Sequence, residues 1–220
     1  MRVRHRARTL ADVLGDLGDI PAGRVCIDPP PGRATEADVI RLAENEGRLC
    51  ELVDGTLVEK AMGWEETKLE GLIFGFLHDY LKEHPLGEVY PGTGFIRLAE
   101  GVVRGPDVTV CLWNHVTTPM QDRKNPIART VADLAVEVVS RSNTAKEMAR
   151  KCKEYFDSGT TIVWLVYPKT RTIEVYISPT RFHTLGIDDT LDGGMLLPGL
   201  RLPLRTLFAR PTKGSRRKKK

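Results

Sequence analysis

The stretch DLAVEVVS, residues 133–140, decides the architecture. An almost unbroken apolar run of this length reads as a strand covered on both faces. Such strands lie inside sheets that helices flank. Yet Glu137 stands in the middle of it, with apolar neighbours at 134, 135, 136, 138 and 139. A carboxylate is costly there unless it is paired or binds a metal ion. Two readings are open: a buried ion pair with a Lys or Arg, or a ligand for a hard cation such as Mg²⁺.

The flanking segments predict a mixed α/β fold. Downstream, SNTAKEMARKCKEYFDSG (142–159) reads as an amphipathic helix, with Thr144 and Glu147 in capping-box spacing and Gly159 as its stop. TTIVWLVYP (160–168), a turn at KTRT (169–172) and IEVYIS (173–178) give two more strands, and LLPGLRLPLRTLF (196–208) short strands or loops. Upstream, GEVYPGTGFIRLAEG (87–101) and VRGPDVTVCLW (103–113) read as strands with glycine turns. Residues 64–83 form the clearest helix, with Leu69, Leu72, Ile73, Phe76, Leu77 and Tyr80 at the helical period, ended by His84-Pro85. CELVDGTLVEK (50–60) is a hairpin around Asp54-Gly55. TEADVIRLAENEG (35–47) is a short helix capped by Thr35. The domain is expected to run from 35 to 208, with an N-terminal extension (1–34) ending in a Pro/Gly loop and a basic C-terminal tail (209–220).

Composition narrows the class. The chain has 220 residues and a net charge of +4. Residues 1–10 carry four arginines and 211–220 six Lys/Arg, neither with an acid; without them 23 basic face 29 acidic residues. The body is therefore mildly acidic and the ends basic, either as solvated tails or as a tether for nucleic-acid phosphate. No apolar run reaches the length of a membrane span and no secretory signal is visible, so a cytoplasmic location is expected. The four cysteines lack C-x-x-C spacing, which argues against zinc.

Further charged residues bear on Glu137. Asp107 follows Pro106 at the mouth of a strand, thirty positions earlier; alone it reads equally as a turn residue. In the 144–157 helix the apolar face is Met148, Cys152, Tyr155 and Phe156. Lys151 lies about 85° from its centre and Lys153 about 115°, so Lys151 is the better placed to reach along the edge toward the sheet, with a solvated lysine as the alternative. Glu66 lies roughly 45° from the centre of the long helix's apolar stripe, with Glu65 nearly as close, although an acid in a first turn also suits the helix dipole. The facing of Glu51, on the hairpin, is not settled by its sequence.

These segments carry a family resemblance. CELVDGTLVEK, RGPDVTV, DLAVEVVSRSNT, KCKEYFDSGTTIVWLVYP and LLPGLRLPLRTLF stand in order from about residue 35 to 208, and the chain resembles the Uma-two family of restriction endonucleases within the PD-(D/E)XK nuclease superfamily. The resemblance implies a restriction-endonuclease-like fold, a mixed central sheet flanked by helices, and metal-dependent hydrolysis of phosphodiester bonds, in DNA rather than RNA. Asp107 and Glu137 would match the two acids of the motif as ligands of Mg²⁺, with Mn²⁺ as a substitute. Lys151, four residues before Tyr155, would match the family's lysine, and Glu66 the helix acid that completes the site. The chain departs at Val139, where the superfamily usually has its lysine, and it lacks the histidine that many members carry near Glu66. A homodimer would suit cleavage of both strands. The competing expectations are a non-catalytic nucleic-acid-binding protein that keeps the nuclease fold, and an interaction protein whose buried acids only pair with cations.

Overall fold

A computed structural model of the chain describes residues 9–61, 63–116 and 126–209. The basic ends singled out above lie almost wholly outside them. In chain order the elements are α1 (Leu10–Asp16), α2 (Glu36–Glu46), β1 (Cys50–Val53), β2 (Thr56–Glu59), α3 (Trp64–Glu83), β3 (Gly87–Pro91), β4 (Phe95–Ala99), β5 (Val102–Arg104), β6 (Val108–Leu112), β7 (Ile127–Ala128), β8 (Leu134–Val138), α4 (Ala145–Asp157), β9 (Ile162–Tyr167), β10 (Thr172–Ser178), β11 (Arg181–Leu185), β12 (Thr190–Asp192), β13 (Arg201–Pro203) and α5 (Leu204–Leu207).

The central layer is a six-stranded sheet in the order β11-β10-β9-β8-β6-β3. Its only parallel pair is β8 with β9, joined through α4, and every other ladder is antiparallel. Residues of β8 alternate between two cores, as a strand's period of two requires. Leu134, Val136 and Val138 face a core with Leu69, Ile73 and Leu77 of α3. Ala135 faces Met148, Cys152 and Tyr155 of α4. Glu137 shares the Ala135 side and therefore points at α4. The α3 stripe follows the expected period, except that Leu72 lies at its margin and is exposed.

A second sheet, β2-β1-β5-β4-β7, was not separated from the central one by the sequence reading. One face packs Cys50, Leu52 and Leu57 against α2. The other holds Val53 and Val58 against Leu17, Ile20 and Val25. The segment preceding residue 35 is thus packed onto the β1–β2 hairpin, and Val25 forms a bridge with Val58. Gly18 makes the seam with α4 possible. Its φ is +91°, and a Cβ there would sit 2.6 Å from the Glu147 backbone nitrogen. α4 consequently spans the junction of the two sheets.

Candidate active site

At that junction lies a cluster of buried charge. The β6–β8 ladder ends at Val108 paired with Val136, leaving the Val138 N–H without a rung. Asp107, one residue before β6, supplies it: Oδ2 accepts from Val138 N–H at 2.7 Å. Its other oxygen lies 3.1 Å from Lys60 Nζ. Lys60 also donates to the carbonyls of Gly105 (2.6 Å) and Gly92 (3.0 Å). The lysine at the end of the hairpin is thus held by three oxygens from two segments, the loop before β4 and the β5–β6 connection.

Glu137 meets α4. Met148, Lys151, Cys152 and Tyr155 share one buried helix face, and Lys151 Nζ lies 3.0 Å from both Glu137 oxygens. The Tyr155 hydroxyl, one turn on, donates to Glu137 Oε1. Lys151 also donates to Glu51 Oε1 at 3.0 Å, joining the two sheets through one amine. Glu51 further accepts from Arg104 Nη1 (2.7 Å) and the Gly105 N–H (3.2 Å), and Arg104 is tied to Glu154.

The titration directions follow from this geometry. Burial raises the Glu137 pKa, and Lys151 only partly offsets it while Asp107 adds to the rise. Burial would raise Glu51 too, but Lys151, Arg104 and Lys60 overcome it and hold Glu51 below the usual carboxylate range. Burial opposes the charge of Lys151, yet Glu137 and Glu51 together keep it protonated above its ordinary range. Burial and Glu137 push the Tyr155 hydroxyl well above its usual value.

Asp107, Glu137, Lys151, Lys60, Arg24 and Asn143 line one small polar cleft. Its free space is about 10 Å³, roughly the room one water molecule needs. Three residues singled out in the sequence, Asp107, Glu137 and Lys151, therefore share one cleft. Glu66 does not line it: half-buried at the start of α3, it borders an adjoining depression with Glu65, Val139 and Ser140. The α3 acid nearer Asp107 is Glu70, one turn later. Glu70 accepts from the Gly92 N–H at 3.0 Å, and its pKa is raised by burial and by the charge of Asp107. Gly92 is wedged between the two acids, since a Cβ there would lie 2.9 Å from Glu70 Oε1 and 3.1 Å from Asp107 Cα. Arg24 was also not singled out. It pairs with Glu147 at 2.9 Å and donates to the Glu59 carbonyl, fixing the N-terminus of α4 against the hairpin.

Among the described residues, no three His, Cys, Asp or Glu side chains are arranged to hold an ion by themselves. Two carboxylates in one cleft still suit Mg²⁺, which keeps several waters and is commonly bound through one or two carboxylates plus substrate phosphate.

A family model described as "Uma2: Putative restriction endonuclease" matches residues 25–205. The chain belongs to the Uma2 family. This Uma2 chain is also similar to a solved structure from Anabaena variabilis ATCC 29413, titled as "a putative nuclease belonging to DUF820". The TM-score is 0.66 at 17% identity, over 79% of this chain and 97% of that one. The likeness places the fold with the restriction-endonuclease type, as the family resemblance implied. No protein with a curated description matches. The family match begins at Val25, so Arg24 stands immediately outside it. No described helix is long and apolar enough to cross a membrane.

Proposed function

We propose that this Uma2 protein is a Mg²⁺-dependent endonuclease hydrolysing DNA phosphodiester bonds, with Mn²⁺ able to substitute. The observation that carries the reading is the meeting of Asp107, Glu137 and Lys151 in one polar cleft of a restriction-endonuclease-type fold. Asp107 and Glu137 would hold the ion, with Glu70, rather than Glu66, the α3 acid beside them. A divalent ion held by these two carboxylates would supply a more acidic bound water and charge stabilisation at the leaving oxygen. Lys151 keeps Glu137 oriented and would supply positive charge behind a phosphate held at the mouth of the cleft. Lys60 places a second ammonium on Asp107, from the other wall. A dimer would present two such clefts to the two strands.

The test is cleavage of supercoiled plasmid with Mg²⁺ and with EDTA. Wild type is expected to cut only with metal, and Asp107→Asn and Glu137→Gln to lose cutting by about a hundred- to a thousandfold, the scale set by removing one strong electrostatic contribution. Undiminished cutting in both variants, or in EDTA, would overturn the assignment. A second reading, a nucleic-acid binder without hydrolysis, is favoured by one feature: both acids already have cationic partners, Lys60 and Lys151. It predicts no thermal stabilisation by Mn²⁺, whereas a metal site gains stability with ion concentration.

A further inference from the structure

Past the cleft, the surface continues as a groove. Val138 and Asn143 line the cleft, and Val139 and Ser140 line the adjoining depression. Ser140 and Asn143 form the common wall, with the Ser140 N–H and hydroxyl both donating to Asn143 Oδ1 at 2.8 and 2.9 Å. The depression offers about 410 Å³ and shares Glu65, Pro168 and Lys169 with a further one of about 240 Å³. The cleft therefore borders depressions far larger than itself.

The two walls of these depressions differ in charge. The α3 wall carries Glu65 and Glu66 along with Lys68. The other wall, formed by the carboxyl ends of β8 and β9, carries Arg141, Lys169 and Arg171 and no carboxylate. All three cations are exposed, and none has a hydrogen bond or ion pair among the described residues. Arg171 is held at φ 56° in the β9–β10 turn, a conformation that glycine or asparagine adopts at lower cost.

We propose that the strand-end wall carries the phosphate backbone of the nucleic acid as it leaves the cleft, through Arg141, Lys169 and Arg171, with the α3 acids holding the phosphates to that side. The proposal rests on the nuclease reading for its choice of polyanion. Three contacts that neutralise phosphates raise affinity without reading bases.

The test is binding of a fluorescently labelled 20-base-pair DNA to the full chain in EDTA, by anisotropy across a salt series. The triple variant Arg141→Glu, Lys169→Glu, Arg171→Glu is expected to bind roughly tenfold or more weakly, with the slope of log affinity against log salt reduced by about two to three. All three side chains are exposed, and an unchanged Tm confirms the fold; a triple glutamine variant gives a smaller loss in the same direction. Wild-type affinity and slope in the triple glutamate variant overturn the proposal. The assay contains no metal, so the two readings fail separately. Loss of binding by a protein that never cleaves supports the groove and sinks the nuclease; unchanged binding by a protein that cleaves does the reverse.

Discussion

At the residue scale, Lys151 is the pivot, since one ammonium bridges two carboxylates from two sheets. Removing one partner of a buried ion pair costs about 3–5 kcal/mol, and here two acids would be left facing each other. Lys151→Ala is therefore expected to lower Tm by on the order of 10 °C in calorimetry, and loss of cleavage in it would not isolate a chemical role. Lys60→Met is the cleaner probe, because the Asp107 carboxylate keeps its bond to Val138. Glu51 sets a pH dependence. Its pKa is depressed from 4.5, so its stabilisation is complete above that value and is lost as pH falls through the depressed one. The Tm gap between wild type and Glu51→Gln is expected to be widest near pH 6 and to narrow toward pH 3; a constant gap would contradict the charge assignment. Glu51 was unreadable in the sequence for a physical reason: all four residues of β1 are buried, leaving no alternation from which to infer a facing. Glu137 was legible because a charge inside an apolar strand is conspicuous.

At the scale of elements, α4 is the piece on which the site depends, and its helical period exposed Lys151 to sequence reasoning. The expected Thr144–Glu147 capping box is formed, and the Thr144 hydroxyl also donates to the Gly18 carbonyl. Thr144→Ala is expected to cost about 1 kcal/mol as a lost N-cap, read as a lower chemical-denaturation midpoint. Gly18→Ala is expected to cost more, because its φ and the Glu147 backbone both oppose a Cβ. The second sheet, Lys60 and Arg24 escaped the sequence reading because pairing between distant segments leaves no periodic trace. Arg24 precedes a β-bridge and looks like any basic loop residue until Glu147 is placed opposite it. Glu70 was overlooked because it differs from Glu66 by one turn and shares its helix face; only the Gly92 loop distinguishes the two.

At the scale of the whole molecule, the mixed α/β class and the order of elements followed from hydrophobic pattern and turn residues. The division of charge between an acidic body and basic ends was also visible in composition. Deleting residues 211–220 removes six cations and is expected to weaken DNA binding equally across sequences, with a shallower salt dependence and an unaltered response of Tm to Mn²⁺. Unaltered affinity would mean that the tail only solvates the chain end.

The two-sided strand β8 has a consequence for how such a gene can vary. Inserting or deleting one codon between Asp133 and Glu137 would turn the glutamate from the α4 side into the leucine-rich layer under α3 and present a valine to Lys151. A change of two codons would restore the facing. Length variation along this lineage should therefore collect in the loops around β8, and within the strand itself should be found only in pairs.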